Sequence, residues 1–146
     1  MKPIAYLAGP LGFSEAGKLF HNTVLIPLVK EAGYDILDPW VLTPFELIKP
    51  ILDMPYGSKK KAAWAKLNPI IGQNNENAIK KADIIVAVLD GVDVDSGTAA
   101  EIACGAMLGK PTIGYRGDFR LAADNEGSMV NLQVEHFIYQ YRGKIV

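Results

Sequence analysis

An unbroken apolar run over residues 84–89 constrains the fold of this chain more than any other feature. The run is short and rich in β-branched residues, which is typical of a strand covered by helices on both faces. A polar turn begins at Asp90-Gly91, and a mostly apolar helix is predicted over residues 96–109. The sequence therefore predicts a central parallel strand, followed by a helix that starts near the strand's carboxyl end.

Glu101 is the one formally charged side chain within this predicted helix. Open α/β sheets bind their ligands at the carboxyl ends of the strands, and Glu101 follows such an end closely. We therefore treat Glu101 as the first candidate functional residue. The alternative is that Glu101 only faces solvent and that Asp95 or Ser96 is only a helix cap.

Strand and helix patterns alternate along the rest of the chain. Further strands are predicted over residues 4–8, 34–37 and 111–115, and further helices over 14–32 and 69–81. This alternation predicts an α/β fold in which a parallel sheet carries helices on both faces. In the first helix, apolar residues at helical spacing predict a core-facing side made of Leu19, Phe20, Val24, Leu25, Leu28 and Val29.

Two segments are less regular. Residues 41–67 contain three prolines, and we expect short helices there, over the mouth of the site. The lysine run 59–61 predicts a solvated surface. Near the carboxyl end, Ser128 or Asn131 is predicted to cap a last helix, and residues 139–146 to form a short edge strand or to pack on a neighbouring molecule.

Composition indicates one globular domain, residues 1–146, with 49% hydrophobic and 21% charged residues. Fifteen basic and 16 acidic residues give a net charge of −1, which leaves no electrostatic footprint for nucleic acid or an anionic membrane. The apolar stretch after Lys2 is broken by Gly9-Pro10, too early for an export signal or a membrane span. A small molecule is the expected partner.

The cysteine and the histidines of the sequence indicate neither a disulfide nor a metal site. The single cysteine, Cys104, cannot form an internal disulfide, and we expect it to pack as a small hydrophobe in a protein of the reducing cytoplasm. His21 and His136 are far apart in sequence, and no Cys/His ligand spacing is present. No metal or redox cofactor is predicted.

Three short motifs occur in order along the chain: Tyr-Leu-Ala-Gly-Pro over residues 6–10, Asp-Ser-Gly-Thr-Ala-Ala-Glu over 95–101, and Asn-Leu-Gln-Val-Glu over 131–135. They resemble the motifs of the nucleoside 2-deoxyribosyltransferase family, whose signature reads D-x-G-T-x-x-E. The matches span almost the whole chain. The resemblance implies a single-domain, flavodoxin-like (Rossmann-like) fold.

The resemblance also implies a reaction. A 2-deoxyribosyl group would move between purine or pyrimidine bases through a covalent glycosyl–glutamate intermediate, with retention of configuration. Glu101 matches the catalytic glutamate, Tyr6 the tyrosine beside it, and Asp95 the aspartate that contacts the base. Because burial raises the pKa of a carboxyl group, we expect Glu101 to need the hydroxyl of Tyr6 and the positive end of its helix.

The substrates implied are a deoxynucleoside and a free nucleobase. We assign Trp40 either to stacking on the base or to closing the core, and Asn75 either to the sugar or to the plain helix surface. Asn131 matches a residue that comes from an adjacent subunit and holds the 5′-hydroxyl, which implies a dimer or an assembly of dimers. The expected substrate-binding residues are Gly9, Phe13, Trp40, Asn75, Gly97 and Asn131.

Two other functions remain open from the sequence. A relative that hydrolyses deoxynucleoside 5′-monophosphates would use water in place of the acceptor base. Such relatives carry serines for the phosphate, so Asn131 favours the transferase while Ser128 keeps the hydrolase open. The second alternative is a non-catalytic module that binds a nucleotide in the same crevice. The range of bases and the tolerance of a ribose 2′-hydroxyl are not predicted.

Overall fold

The computed structural model describes residues 1–121 and 123–146. Its strands are β1 (Ile4–Ala8), β2 (Asp35–Leu37), β3 (Ile84–Val88), β4 (Thr112–Tyr115) and β5 (Lys144–Ile145). They pair in parallel in one sheet of order β2-β1-β3-β4-β5, which is the flavodoxin-like order. The predicted α/β fold, the central position of residues 84–89 and the short edge strand near the carboxyl end are confirmed.

Helices connect the strands and cover the sheet. They are α1 (Glu15–Phe20), α2 (Ile26–Glu31), α3 (Pro39–Leu42), α4 (Phe45–Leu52), α5 (Ser58–Lys81), α6 (Ser96–Met107) and α7 (Leu132–Gln140). A 3-10 turn, Leu11–Phe13, precedes α1, and a π turn, His21–Leu25, joins α1 to α2. Pro27 has no N–H to donate, and the helical hydrogen bonds change their spacing next to it. The N–H of Ile26 donates to the carbonyl of His21, five residues earlier, which is the spacing of a π turn.

The two faces of the sheet have separate cores, because successive side chains of a strand point to opposite faces. On one face, Leu7 and Val88 pack in a cluster with Leu25 and Val29 from the first helical segment. On the other face, the cluster contains residues of β1 and β3 together with apolar residues of α5, α6 and α7: Tyr6, Ala8, Ile79, Ile85, Ala87, Ile102 and Ile138. The prediction of helices on both faces is therefore confirmed. Cys104 is half-buried against the second cluster, as expected.

The predicted core face of the first helix is only half right. Leu25 and Val29 are buried, and Phe20 is half-buried, whereas Leu19, Val24 and Leu28 are exposed. The exposed residues are each the neighbour, one position earlier, of a residue that faces the sheet. Because the sheet covers only one stripe of a helix, the adjacent apolar stripe stays outside the core.

Two predictions in the middle of the chain need correction. The helix expected from residue 69 begins at Ser58, with Pro69 inside it. Proline removes one backbone hydrogen bond, but α5 continues across Pro69, and Leu67 two residues earlier is buried. In the lysine run, Lys60 is not simply solvated, because its Nζ donates to the carbonyls of Leu52 and Met54 at the end of α4. None of the helices described here is long and apolar enough to cross a membrane.

Candidate active site

A cleft of about 350 Å³ lies at the carboxyl edge of the sheet. Its walls include Gly9 after β1, Pro39 and Trp40 after β2, and the start of α6 after β3. The strand order reverses between β1 and β3, and such a switch point leaves a crevice between the connections that run to opposite faces of the sheet. The topology thus leaves a cleft at the edge of the sheet where the sequence predicted a site.

Glu101 and Tyr6 meet at the inner wall of the cleft. Glu101 lines the cleft, and the hydroxyl of the fully buried Tyr6 donates to its Oε1 at 2.6 Å. Burial raises the pKa of Glu101 to about 7; the hydrogen bond from Tyr6 opposes this rise, and the charge of Asp95 adds to it. Burial and the adjacent Glu101 also raise the pKa of Tyr6, which keeps its hydroxyl protonated as a donor.

Asp95 is both a helix cap and a residue of the cleft wall. It caps α6, since its Oδ2 accepts from the backbone N–H of Thr98 at 3.0 Å and from the Thr98 hydroxyl at 3.1 Å. It also lines the cleft together with Gly97 and Glu101. The cap therefore fixes the carboxylate at the wall of the cleft.

Trp40 and Phe13 form an aromatic wall. Their rings are in edge-to-face contact, with centroids 4.8 Å apart and planes at 90°. The Trp40 ring lies against Gly12 so closely that a Cβ there would overlap it. Trp40 is 38% exposed, so of the two sequence interpretations the structure places it at the cleft wall and not in the core.

The outer wall of the cleft is formed by α5 and by the segment 41–67, whose sequence pattern is the least regular in the chain. Trp64, Ile71 and Asn75 lie on one face of α5, and Thr43 and Ile48 come from the α3–α4 region. The prediction of short helices over residues 41–67 holds for α4, whereas residues 58–67 belong to the long helix α5. Trp64 and Ile71 were missed because the predicted helix began at residue 69, too late to place both residues on one face. Thr98 lies within the Asp-Ser-Gly-Thr-Ala-Ala-Glu motif but was not singled out, and the sequence carried no signal for Thr43 or Ile48.

Asn75 presents an unsatisfied polar atom at this wall. Its Oδ1 is buried, and no group in the described part of the chain donates a hydrogen bond to it. A buried carbonyl oxygen without a donor carries a desolvation penalty, which a ligand N–H or O–H would remove. The position therefore suits a group that recognises a ligand better than it suits a plain surface residue.

Asn131 lies outside the cleft. Its side-chain oxygen caps α7 by accepting from the N–H groups of Gln133 and Val134. Ser128 lines a separate shallow groove along α7. A single chain therefore brings together eight of the nine predicted site residues, seven in the cleft wall and Tyr6 behind Glu101, and leaves Asn131 apart.

The charges around the cleft are negative only. Asp95 and Glu101 are its two ionisable side chains, and no lysine, arginine or histidine lines it among the residues that the structure describes. Within the same residues, no cluster of three or more His, Cys, Asp or Glu side chains has the arrangement to hold a metal ion. The cleft combines aromatic and aliphatic walls with two carboxylates, which suits a planar, uncharged organic ligand.

A family model described as nucleoside 2-deoxyribosyltransferase matches residues 5–133. No curated protein matches the chain significantly. A 2-deoxyribosyltransferase from Leishmania mexicana is similar in structure, with a TM-score of 0.61, 24% identity, and coverage of 90% of this chain and 85% of that one. A 2-deoxyribosyltransferase from Bacillus psychrosaccharolyticus has a TM-score of 0.58 and 24% identity, with coverage of 90% of this chain and 79% of that one. A CMP N-glycosidase from Clostridium botulinum has a TM-score of 0.55 and 17% identity, with coverage of 98% of this chain and 87% of that one. At these low identities, the TM-scores and coverages show a shared fold.

Proposed function

Since the chain belongs to the nucleoside 2-deoxyribosyltransferase family, we propose that it transfers a 2-deoxyribosyl group between purine or pyrimidine bases. Glu101 is the proposed nucleophile. The observation that carries the proposal is the position of this carboxylate: it lines the cleft, Tyr6 donates to it at 2.6 Å, and Asp95 lies in the same wall. A cytoplasmic role in deoxyribonucleoside salvage is part of the proposal.

In the first step, an oxygen of Glu101 attacks the anomeric carbon of the bound deoxynucleoside. The bond between this carbon and the base nitrogen breaks, and its electron pair stays on the base. Asp95 relays a proton from solvent to the base nitrogen as this bond breaks. The product is a covalent glycosyl–glutamate intermediate and a free base.

In the second step, a nitrogen of the acceptor base attacks the same carbon from the face that the first base left. Glu101 departs as a carboxylate, and Asp95 passes the proton that the acceptor base loses back to solvent. Two displacements restore the original configuration, which gives retention. The hydrogen bond from Tyr6 stabilises Glu101 as a carboxylate, which is its form both before the attack and after its departure.

The charge of the cleft favours nucleosides over nucleotides as substrates. A 5′-phosphate would enter a site with two carboxylates and, among the described lining residues, no cationic side chain. The backbone N–H of Thr98 at the start of α6, where an anion is often bound, already donates to Asp95. Hydrolysis of monophosphates, the main alternative, lacks such a supporting observation.

The proposal includes a second subunit. Asn131 is outside the cleft of its own chain, and we propose that it completes the site of a neighbour by holding the 5′-hydroxyl. Its side-chain oxygen already caps α7. One N–H of its side-chain amide donates to Oδ1 of Asp124 at 3.4 Å, and the amide has a second N–H to give to the sugar. The enzyme would then be at least a dimer.

Incubation with deoxyinosine, in the presence and absence of free adenine, tests the proposal. We expect deoxyadenosine and hypoxanthine when adenine is present. Hypoxanthine and free deoxyribose alone would indicate a hydrolase, and no product would indicate a binding module. The same experiment with deoxyinosine monophosphate tests the nucleotide alternative, for which we expect a much lower rate. NMR of the anomeric proton of the product tests retention.

A further inference from the structure

We propose that the buried pair His21–Asp38 positions Trp40, and thereby the aromatic wall against which a planar base stacks. The identity of the ligand rests on the proposed function, whereas the positioning does not. Neither His21 nor Asp38 lines the cleft. Asp38 accepts a hydrogen bond from the backbone of Trp40, and through this bond the pair acts as positioning residues.

The chain of contacts begins in the π turn between α1 and α2. His21 is the first residue of this turn, and its Nε2 donates to Oδ2 of Asp38 at 2.8 Å. The other carboxylate oxygen of Asp38, Oδ1, accepts from the backbone N–H of Trp40 at 3.0 Å. His21 is 6% exposed and Asp38 7%, so water does not substitute readily for either bond.

The ring of Trp40 is held from the other side. Gly12 leaves no space between its backbone and the ring, and the edge of Phe13 packs against the ring. His21 and Trp40 also line the same narrow crevice beneath Gly9. Asp38 therefore fixes the backbone of Trp40, and the Gly12–Phe13 turn fixes its ring. The ring is held in one orientation at the wall of the cleft.

Stability alone does not account for this pair. A buried pair of polar or charged groups is often replaced by apolar side chains of similar size with no loss of stability. What an apolar pair cannot provide is a directed acceptor for the Trp40 N–H, and with it a defined position of the first turn of α3. A base stacked on a ring that shifts its position would lose contact area and affinity.

The experiment compares His21→Leu, which removes the donor, with His21→Gln, which keeps one. Both are made in a Trp64→Phe background, so that Trp40 is the only tryptophan. Because Trp64 lines the cleft, binding of free adenine is measured by quenching of Trp40 fluorescence relative to Trp64→Phe alone, and base exchange is measured in the same His21 variants with Trp64 retained. The matched control is His136→Leu, which changes the chain's other histidine, exposed on α7.

For His21→Leu we expect the Kd for adenine and the KM for the acceptor base to rise about tenfold, with kcat changed less than about twofold. The emission of Trp40 should shift to the red and its anisotropy fall. His21→Gln should restore most of the affinity, and His136→Leu should change nothing. If His21→Leu does not fold, the double variant His21→Leu/Asp38→Asn, which leaves no buried carboxylate unpaired, is judged by the same criteria.

An unchanged Kd and unchanged Trp40 emission in a folded His21→Leu protein would overturn the inference. So would a fall in kcat at constant KM, or a failure of His21→Gln to restore binding. A parent protein without base exchange would contradict the proposed function alone, because Trp40 emission and anisotropy still report on the position of the ring.

Discussion

Glu101 is held in surroundings that oppose its ionisation. Burial raises its pKa to about 7 from an ordinary value of 4.5, and the neighbouring charge of Asp95 acts in the same direction. The Tyr6 hydrogen bond is the one contribution that lowers this pKa. At neutral pH the carboxyl group is therefore present in both forms, and the chemistry proposed for it depends on the ionised form.

Replacing Glu101 by glutamine should abolish base exchange, by at least about a thousandfold, because the nucleophile is lost. The protein should nevertheless fold. The pKa of Glu101 is raised in the folded state. The contribution of Glu101 to the free energy of unfolding is therefore fully present below about pH 4.5 and is lost as the pH rises through about 7. Urea unfolding should therefore show Glu101→Gln to be more stable than the parent at pH 8 but not at pH 4. Retained exchange activity would contradict the mechanism.

The acidic limb of the pH profile should report on Glu101. In the parent, kcat/KM should rise with pH through about 7, because only the carboxylate attacks the sugar. In Asp95→Asn, which keeps the cap on α6, removal of the negative charge should move this limb to lower pH while the rate at the plateau falls. An unmoved limb would mean that another group controls it.

At the scale of elements, α6 is the part that builds the site. It begins with the cap at Asp95, carries Glu101, and at Gly105 lies directly on β3. A Cβ at Gly105 would lie 2.6 Å from Cγ1 of the fully buried Ile85. The distance between α6 and the sheet is thus set by the absence of a side chain one turn after Glu101.

Gly105→Ala should therefore push α6 outward. We expect a loss of about 1–3 kcal/mol in the free energy of unfolding from overpacking, and a fall in kcat/KM as Glu101 moves relative to Tyr6. Denaturant unfolding and initial rates check the two effects. The matched control is Gly72→Ala in α5, where a Cβ meets nothing within 4 Å; it should leave activity unchanged and stabilise the helix by about 0.5–1 kcal/mol. Equal behaviour of the two variants would refute the argument.

At the scale of the whole molecule, the cleft of one chain lacks Asn131. If a neighbour supplies it, two inactive proteins should complement each other when mixed. Glu101→Ala and Asn131→Ala subunits, unfolded together and refolded in equal amounts, should regain about a quarter of the parent's active sites, because half of the dimers are mixed and each has one intact site.

The mixing experiment needs a control for helix capping, since Asn131 also caps α7. Asn131→Ser keeps a capping oxygen and loses the amide donor. If Asn131 holds the substrate, both Asn131 variants should be impaired; if it is only a cap, the serine variant should be fully active. Light scattering gives the oligomeric state, and a monomer with full activity would exclude the shared site.

The sequence by itself determined the central strand, the position of Glu101 just beyond it and the parallel α/β fold. These features follow from local rules, namely an apolar run, a turn and a capping residue that sit next to each other in the chain. It also identified Tyr6 and Asp95, through a resemblance in which spacing along the chain is retained.

Only the tertiary structure decided what surrounds these residues. Two of these features join distant parts of the chain: the pairing of His21 with Asp38, and the outer wall to which Trp64 and Asn75 belong. A third, the separation of Asn131 from the cleft, also depends on how distant parts of the chain are arranged. Such contacts depend on the order of strands in the sheet and on where α5 begins, which no local pattern encodes. Trp40 illustrates the difference: its sequence fits a core or a wall equally well, and the packing of Gly12 and Phe13 against its ring decides between them.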